Sequence, residues 1–122
     1  MTRDVPISIL VIEDEFMIAM DLRSWLLDEG FDVIGPAASV ASALVLLAET
    51  DPRACILDVN LRGQHSGPVA AALRTRGVPF ILSSAYQQRD LDRYGAFEGV
   101  INIGKPASQG VLLAALNQLL QS

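Results

Sequence analysis

The chain has 122 residues, 51% of them apolar and 19% charged, with a formal net charge of −5. This size and balance fit one globular domain with a single core and exclude a disordered segment. The acidic balance, with nine Lys and Arg residues scattered along the chain and no basic run, disfavours direct nucleic-acid or anionic-membrane binding, which needs a basic surface. Cys55 is the one cysteine, so no internal disulfide can form, which suits the cytoplasm.

The first apolar run, residues 7–12, is too short for a membrane span or a signal peptide and meets acid at once, so it reads as a strand. Residues 15–29 read as a helix, with Ile18, Leu22, Trp25 and Leu26 on one face and Asp21, Ser24 and Asp28 on the other; Gly30 stops it. Residues 31–36, with Gly35 at a turn, make a second strand. Ser39 caps a helix that runs to about Thr50, with Ala41, Leu44, Val45 and Ala48 facing inward. Residues 53–58 form a third strand that ends on Asp58, with Cys55 as an inert core residue. A polar loop follows over 60–66, and His65 within it reads as a solvated residue. Pro68 suits the first turn of a third helix, whose inner face holds Val69, Ala70 and Leu73 and which Gly77 ends. Residues 78–83 are a fourth strand, 86–95 a short polar helix and 99–103 a fifth strand. Ser108 opens the last helix, lined by Leu112, Ala115, Leu116 and Leu119.

The order is βα five times over. Short, uniformly apolar strands imply a parallel sheet covered on both faces, so the fold class is α/β, doubly wound (βα)5. No linker, repeat or second domain interrupts it, so residues 1–122 are expected to be one domain with its core over about 5–120. In such a sheet the C-terminal strand ends share one edge, where ligands bind. Glu13 and Asp14 follow the first strand, Asp58 ends the third, Ser83 and Ser84 end the fourth, and Lys105 follows the fifth. Taken singly, each has an ordinary reading as a cap, a strand-end residue or a solvated lysine. Asp58, directly after an apolar run, is the hardest to dismiss, because a buried carboxylate needs a partner. Together they put three carboxylates, a hydroxyl and a lysine at one sheet edge.

With ILVIEDE, CILDVNLRG, VPFILSSAY and GKP in this order and strand context, the chain resembles the receiver domains of two-component response regulators over roughly residues 5–120. The resemblance implies a flavodoxin-like, CheY-like five-stranded sheet in the order 2-1-3-4-5. It makes Asp58 the phosphoacceptor, Glu13 and Asp14 the acidic pair that holds Mg²⁺ (or Mn²⁺), and Asn60 the residue whose backbone carbonyl completes the metal ligands. Ser84, followed by small Ala85, matches the hydroxyl that bonds a phosphoryl oxygen, and Lys105 the lysine that precedes Pro106. It implies a histidine kinase or histidine phosphotransfer protein as donor and output through a downstream protein target. It also implies a monomer or weak homodimer in the cytoplasm that is a signalling protein rather than a conventional enzyme. Carboxylate attack on phosphorus forms an acyl phosphate, and the cation and lysine offset the anion–anion repulsion.

Two stretches depart from the common pattern. Receivers usually carry an aromatic switch residue three positions before the lysine, where this chain has Asn102, for which a hydrogen-bonding role is expected instead. The loop VNLRGQHSGP and the strand VPFILSSAY resemble a divergent, mainly alphaproteobacterial subgroup with a Phe-Ala-Thr-Gly-Tyr fourth strand, in which Tyr86 is kept and either screens the site or packs at the surface. The rival reading is a pseudo-receiver that works by phosphorylation-independent contacts. A Mg²⁺-dependent phosphatase with an aspartate nucleophile is a weaker rival, because Asn60 stands where its second acid would be and no cap domain is present.

Overall fold

The computed structural model describes residues 5–91 and 95–121. Its strands are β1 (Ser8–Ile12), β2 (Asp32–Ala37), β3 (Ala54–Asp58), β4 (Asn60–Leu61), β5 (Gln64–His65) and β6 (Phe80–Ser83). The helices are α1 (Phe16–Asp28), α2 (Val40–Glu49), α3 (Gly67–Thr75), α4 (Gln88–Leu91) and α5 (Gln109–Leu120), with a 3₁₀ turn at Gly95–Phe97. The main sheet is parallel, in the order β2-β1-β3-β6. Alternate strand residues feed two cores. Leu10, Ile12, Cys55, Leu57 and Leu82 pack under α2 and α3, while Ile9, Val11, Ile56 and Ile81 pack under α1 and α5. Each fully buried Leu or Ile stabilises by roughly 1.5–3 kcal/mol, so the two cores anchor every strand end that carries the site.

Ser39 caps α2 through its hydroxyl, which accepts from Ser42 N at 3.1 Å, and Ser42 returns the bond. The inner stripe of this helix differs from the expected one. Ala43 and Leu47 are buried with Val40 and Leu46 beside them, whereas Ala41, Leu44, Val45 and Ala48 are exposed. The helix is apolar on nearly every side, so its periodicity offers two stripes, and docking on the sheet selects one. Trp25 is half-buried against the α1 side of the core, and burial pushes the Cys55 thiol well above its ordinary pKa, as fits an inert residue.

Three other segments depart from the expected pattern. Within the expected loop 60–66, residues 60–65 form an antiparallel pair, β4–β5, rather than irregular chain. Its two turn residues, Arg62 and Gly63, have φ of 50° and 80°, the left-handed pair that a tight two-residue hairpin turn requires. The helix expected over 86–95 is present at Gln88–Leu91, with residues 92–94 outside the described residues. The fifth strand is reduced to a single parallel bridge, Asn102 to Leu82, so position five in the sheet order is held by backbone bonds to Leu82 alone.

At Gly35 (φ 95°) the β1–β2 register shifts, and a Cβ there would lie 2.8 Å from Val11 O and 2.9 Å from Ala37 N. Both obstacles are backbone. Gly35→Ala is expected to lower stability by at least about 2 kcal/mol in urea unfolding, from left-handed strain plus displacement of β2. A change within about 0.5 kcal/mol would mean that β2 relaxes freely.

Candidate functional site at the sheet edge

The ends of β1, β3 and β6 bring Glu13, Asp58 and Ser83–Ser84 together, and the loop after residue 103 delivers Lys105 from the far side. Asp58 is buried and in register with Ser83. The Lys105 ammonium donates to Asp58 Oδ2 at 2.9 Å and to Glu13 Oε2 at 3.2 Å. It also lies 3.1 Å from Glu13 Oε1 and 3.3 Å from Glu15 Oε1. One cation therefore faces three carboxylates. The Glu13 and Asp58 side chains are only 1% and 7% exposed, so this charge balance is set inside the protein rather than by solvent.

Burial is the main force that pushes the Glu13 carboxyl up to about 7; neighbouring Asp58 acts the same way, against the Glu15 amide and Lys105. At Lys105, burial alone would favour the neutral amine. The hydrogen bonds and charges of Asp58 and Glu13 outweigh it and hold the ammonium above its ordinary range. Asp14, partly exposed, is lowered. Burial, the largest single effect, raises it, but hydrogen bonds together outweigh burial, first among them that from the Arg62 amide, which donates to Oδ2 at 2.8 Å. That bond latches the β4–β5 turn onto the site.

Oxygens from Glu13, Asp14 and Asp58 lie within 4.8 Å of one another. Among the described residues Glu13 Oε1 is buried and accepts no hydrogen bond, its contact with the ammonium being an ion pair only. Three convergent carboxylates with an oxygen unused by hydrogen bonding form a donor set that fits a hard divalent cation. Neither Glu13 nor Asp14 caps α1 at its N-cap position, Glu15, in the ordinary way; Glu13 Oε2 does accept from Glu15 N at 3.0 Å.

Asn60 is two residues past Asp58. Its N–H donates to Asp58 Oδ1 at 3.3 Å, and its side chain donates to the Tyr86 hydroxyl at 3.0 Å. Ser84 is buried, and its Oγ accepts from Tyr86 N at 3.0 Å. Tyr86 is half-exposed. His65 is not a solvated loop residue. Its Nδ1 accepts from Gly67 N at 3.1 Å and its ring lies 5.1 Å from that of Phe97, because the hairpin folds it inward.

Two contributors escape sequence reasoning. Glu15 adds a third carboxylate to Lys105; its adjacency to the acidic pair was the available signal. Ser66, at the end of the expected polar loop, stands at the N-cap of α3, yet its hydroxyl is spent on Asp58 O at 2.6 Å, fully buried. No helix in the described residues is long and apolar enough to cross a membrane.

Comparison with known proteins agrees with this geometry. The family profile "Response regulator receiver domain" matches residues 9–117. The transcriptional regulatory protein PdtaR of Mycobacterium tuberculosis is 30% identical over 114 residues, covering 92% of this chain and 56% of that protein. The phyllosphere-induced regulator PhyR of Methylorubrum extorquens is 34% identical over 120 residues, 96% of this chain and 45% of that protein. The chain thus spans about half the length of these curated relatives. The BeF3-activated conformation of SdrG from Pseudomonas melonis Fr1 superposes with a TM-score of 0.78 at 34% identity, covering 97% of this chain and 99% of that one.

Proposed function

The chain belongs to the response regulator receiver family, and on that premise we propose that it accepts a phosphoryl group on Asp58 from a phosphohistidine and signals through protein–protein contact. The observation that carries this reading is the pairing of Asp58 Oδ2 with Lys105 at 2.9 Å, together with oxygens of Glu13, Asp14 and Asp58 that lie within 4.8 Å of one another. The donor would be a histidine kinase or a histidine phosphotransfer protein, and the output a protein target. Phosphorylation shifts an equilibrium only as far as the two states differ in affinity for the group. The VPFILSSAY strand supports placement in the subgroup with the Phe-Ala-Thr-Gly-Tyr motif.

In the transfer, a carboxylate oxygen of Asp58 attacks phosphorus. The P–N bond breaks, its electron pair returns to the donor imidazole, which takes up a proton, and an acyl phosphate forms. Glu13, Asp14, Asp58 and the backbone carbonyl of Asn60 would hold Mg²⁺ or Mn²⁺, which supplies the positive charge that lets two anions meet. Lys105 supplies a fixed positive charge on the other side. Ser84 Oγ receives the Tyr86 amide on a lone pair, so its own proton is what it can give to a phosphoryl oxygen. Alignment and charge stabilisation carry most of the rate.

The test is intact mass after incubation with Mg²⁺ and acetyl phosphate. A gain of one phosphoryl group in the wild type and none in Asp58→Asn is the expected outcome. If there is no gain, phosphorylated kinases are tried next. If no donor works and calorimetry shows no Mg²⁺ binding, the domain is a phosphorylation-independent interaction module.

A further inference from the structure

Asn102 occupies the single bridge by which residues 101–103 join the sheet. Leu82 N donates to Ile101 O and Ile103 N donates to Leu82 O, both at 2.8 Å. Beyond Leu82 the Asn102 side chain takes over at Ser84. Ser84 N donates to Asn102 Oδ1 at 3.0 Å, and Asn102 Nδ2 donates to Ser84 O at 3.1 Å. The carboxamide thereby offers Ser84 the donor and acceptor that a neighbouring strand would have offered. Its remaining capacity reaches two other backbone groups. Nδ2 donates to Tyr86 O at 2.9 Å, and Oδ1 accepts from Gly104 N at 3.1 Å. All four hydrogen bonds a carboxamide can make are thus formed, and its orientation is determined, because the flipped amide would set N–H against N–H at both Ser84 and Gly104.

We infer that Asn102 is a positioning residue for phosphoryl transfer, a clasp that ties the Ser84 strand end to the loop carrying Lys105. This rests on the reading of Asp58 as acceptor. Ser84 and Lys105 are the hydroxyl and the cation on either side of the incoming group, and Gly104 is the residue before Lys105. Any movement of the Ser84 main chain toward a phosphoryl oxygen must carry Gly104 with it or open the carboxamide, whereas the Ser84 hydroxyl itself turns about its own χ1. The Tyr86 main chain is bound into the same unit, through its carbonyl to Asn102 and its amide to Ser84 Oγ at 3.0 Å. A hydrogen-bonded clasp therefore couples the two loops where an aromatic ring would couple them by volume.

The test compares the wild type with Asn102→Ala and Asn102→Asp. Asp keeps the acceptor for Ser84 N and Gly104 N but cannot donate to Ser84 O or Tyr86 O. In Asn102→Ala the rate of phosphoryl gain from acetyl phosphate at saturating Mg²⁺ is expected to fall about tenfold, because misplacement rather than loss of a reacting group slows the step. Mg²⁺ affinity measured by calorimetry stays unchanged, and amide exchange at Ser84 and Gly104 accelerates. Asn102→Asp restores protection at those two amides and recovers part of the rate. A wild-type rate in Asn102→Ala overturns the inference, and so does a slowed rate with unchanged exchange at Ser84 and Gly104. If the Ala variant does not fold, a folded Asp variant with a wild-type rate and unchanged Tyr86 environment overturns it equally. A wild-type protein that gains no phosphoryl group defeats the reading of Asp58 instead, and amide exchange then judges the clasp alone.

Discussion

Lys105→Ala is expected to slow phosphoryl gain from acetyl phosphate roughly 100-fold, the usual scale for removing one fixed positive group that faces a developing negative charge. The Lys105 side chain is 14% exposed, and its ammonium pairs with Glu13, Glu15 and Asp58. Without it two buried carboxylates face each other, and the cheapest relief is a proton on Glu13, already pushed from 4.5 to about 7. An acid with a raised folded pKa binds more protons folded than unfolded. Its ionisation therefore removes stability as pH rises from about 4.5 to about 7. Loss of Lys105 steepens that fall, so the variant's melting temperature should drop further below the wild type at pH 8 than at pH 5.5. Mg²⁺ should recover part of the difference at pH 8, since it replaces the missing charge. Phosphorylation time courses and thermal melts at both pH values check this. A variant rate within about twofold of the wild type would remove Lys105 from the transfer step.

Phe97→Ala is expected to cost about 3–5 kcal/mol, the range for emptying a fully buried aromatic site, and to lower the melting temperature by roughly 10–20 °C. Phe97 is 0% exposed and belongs to the core cluster beneath α2 and α3. Its short 3₁₀ turn is gripped from α3, where Arg74 donates to Ala96 O at 3.0 Å and to Glu98 O at 2.9 Å. These two bonds hold the backbone on either side of Phe97, so the ring cannot withdraw and the cavity cannot easily collapse. The lost ring also uncovers His65, which packs on it at 5.1 Å in the hairpin that Arg62 N ties to Asp14. Calorimetric melts give the stability, and the His65 ring shifts in NMR report the hairpin. A loss below about 1 kcal/mol would show that neighbours fill the space.

Local pattern was enough to place α1, α3, α5 and the four long strands, because each buries one apolar stripe or run. It also brought Glu13, Asp14, Asp58, Ser84 and Lys105 to one edge, since the C-terminal ends of parallel strands must meet there whatever lies between them. The inner stripe of α2 was not legible, because a helix apolar all round carries no phase; only the sheet beneath it chose Ala43 and Leu47. The hairpin over 60–65 lacked a strand-like run, and its turn is tied to the site by a bond from Arg62 N to Asp14, 48 residues away. The fifth strand looked continuous in sequence, yet its pairing passes from backbone to the Asn102 side chain after one bridge. The same holds for Glu15 on Lys105 and Ser66 on Asp58. Periodicity reports which way a segment faces, whereas a hydrogen bond between distant residues depends on distance and angle, which only the packed chain sets.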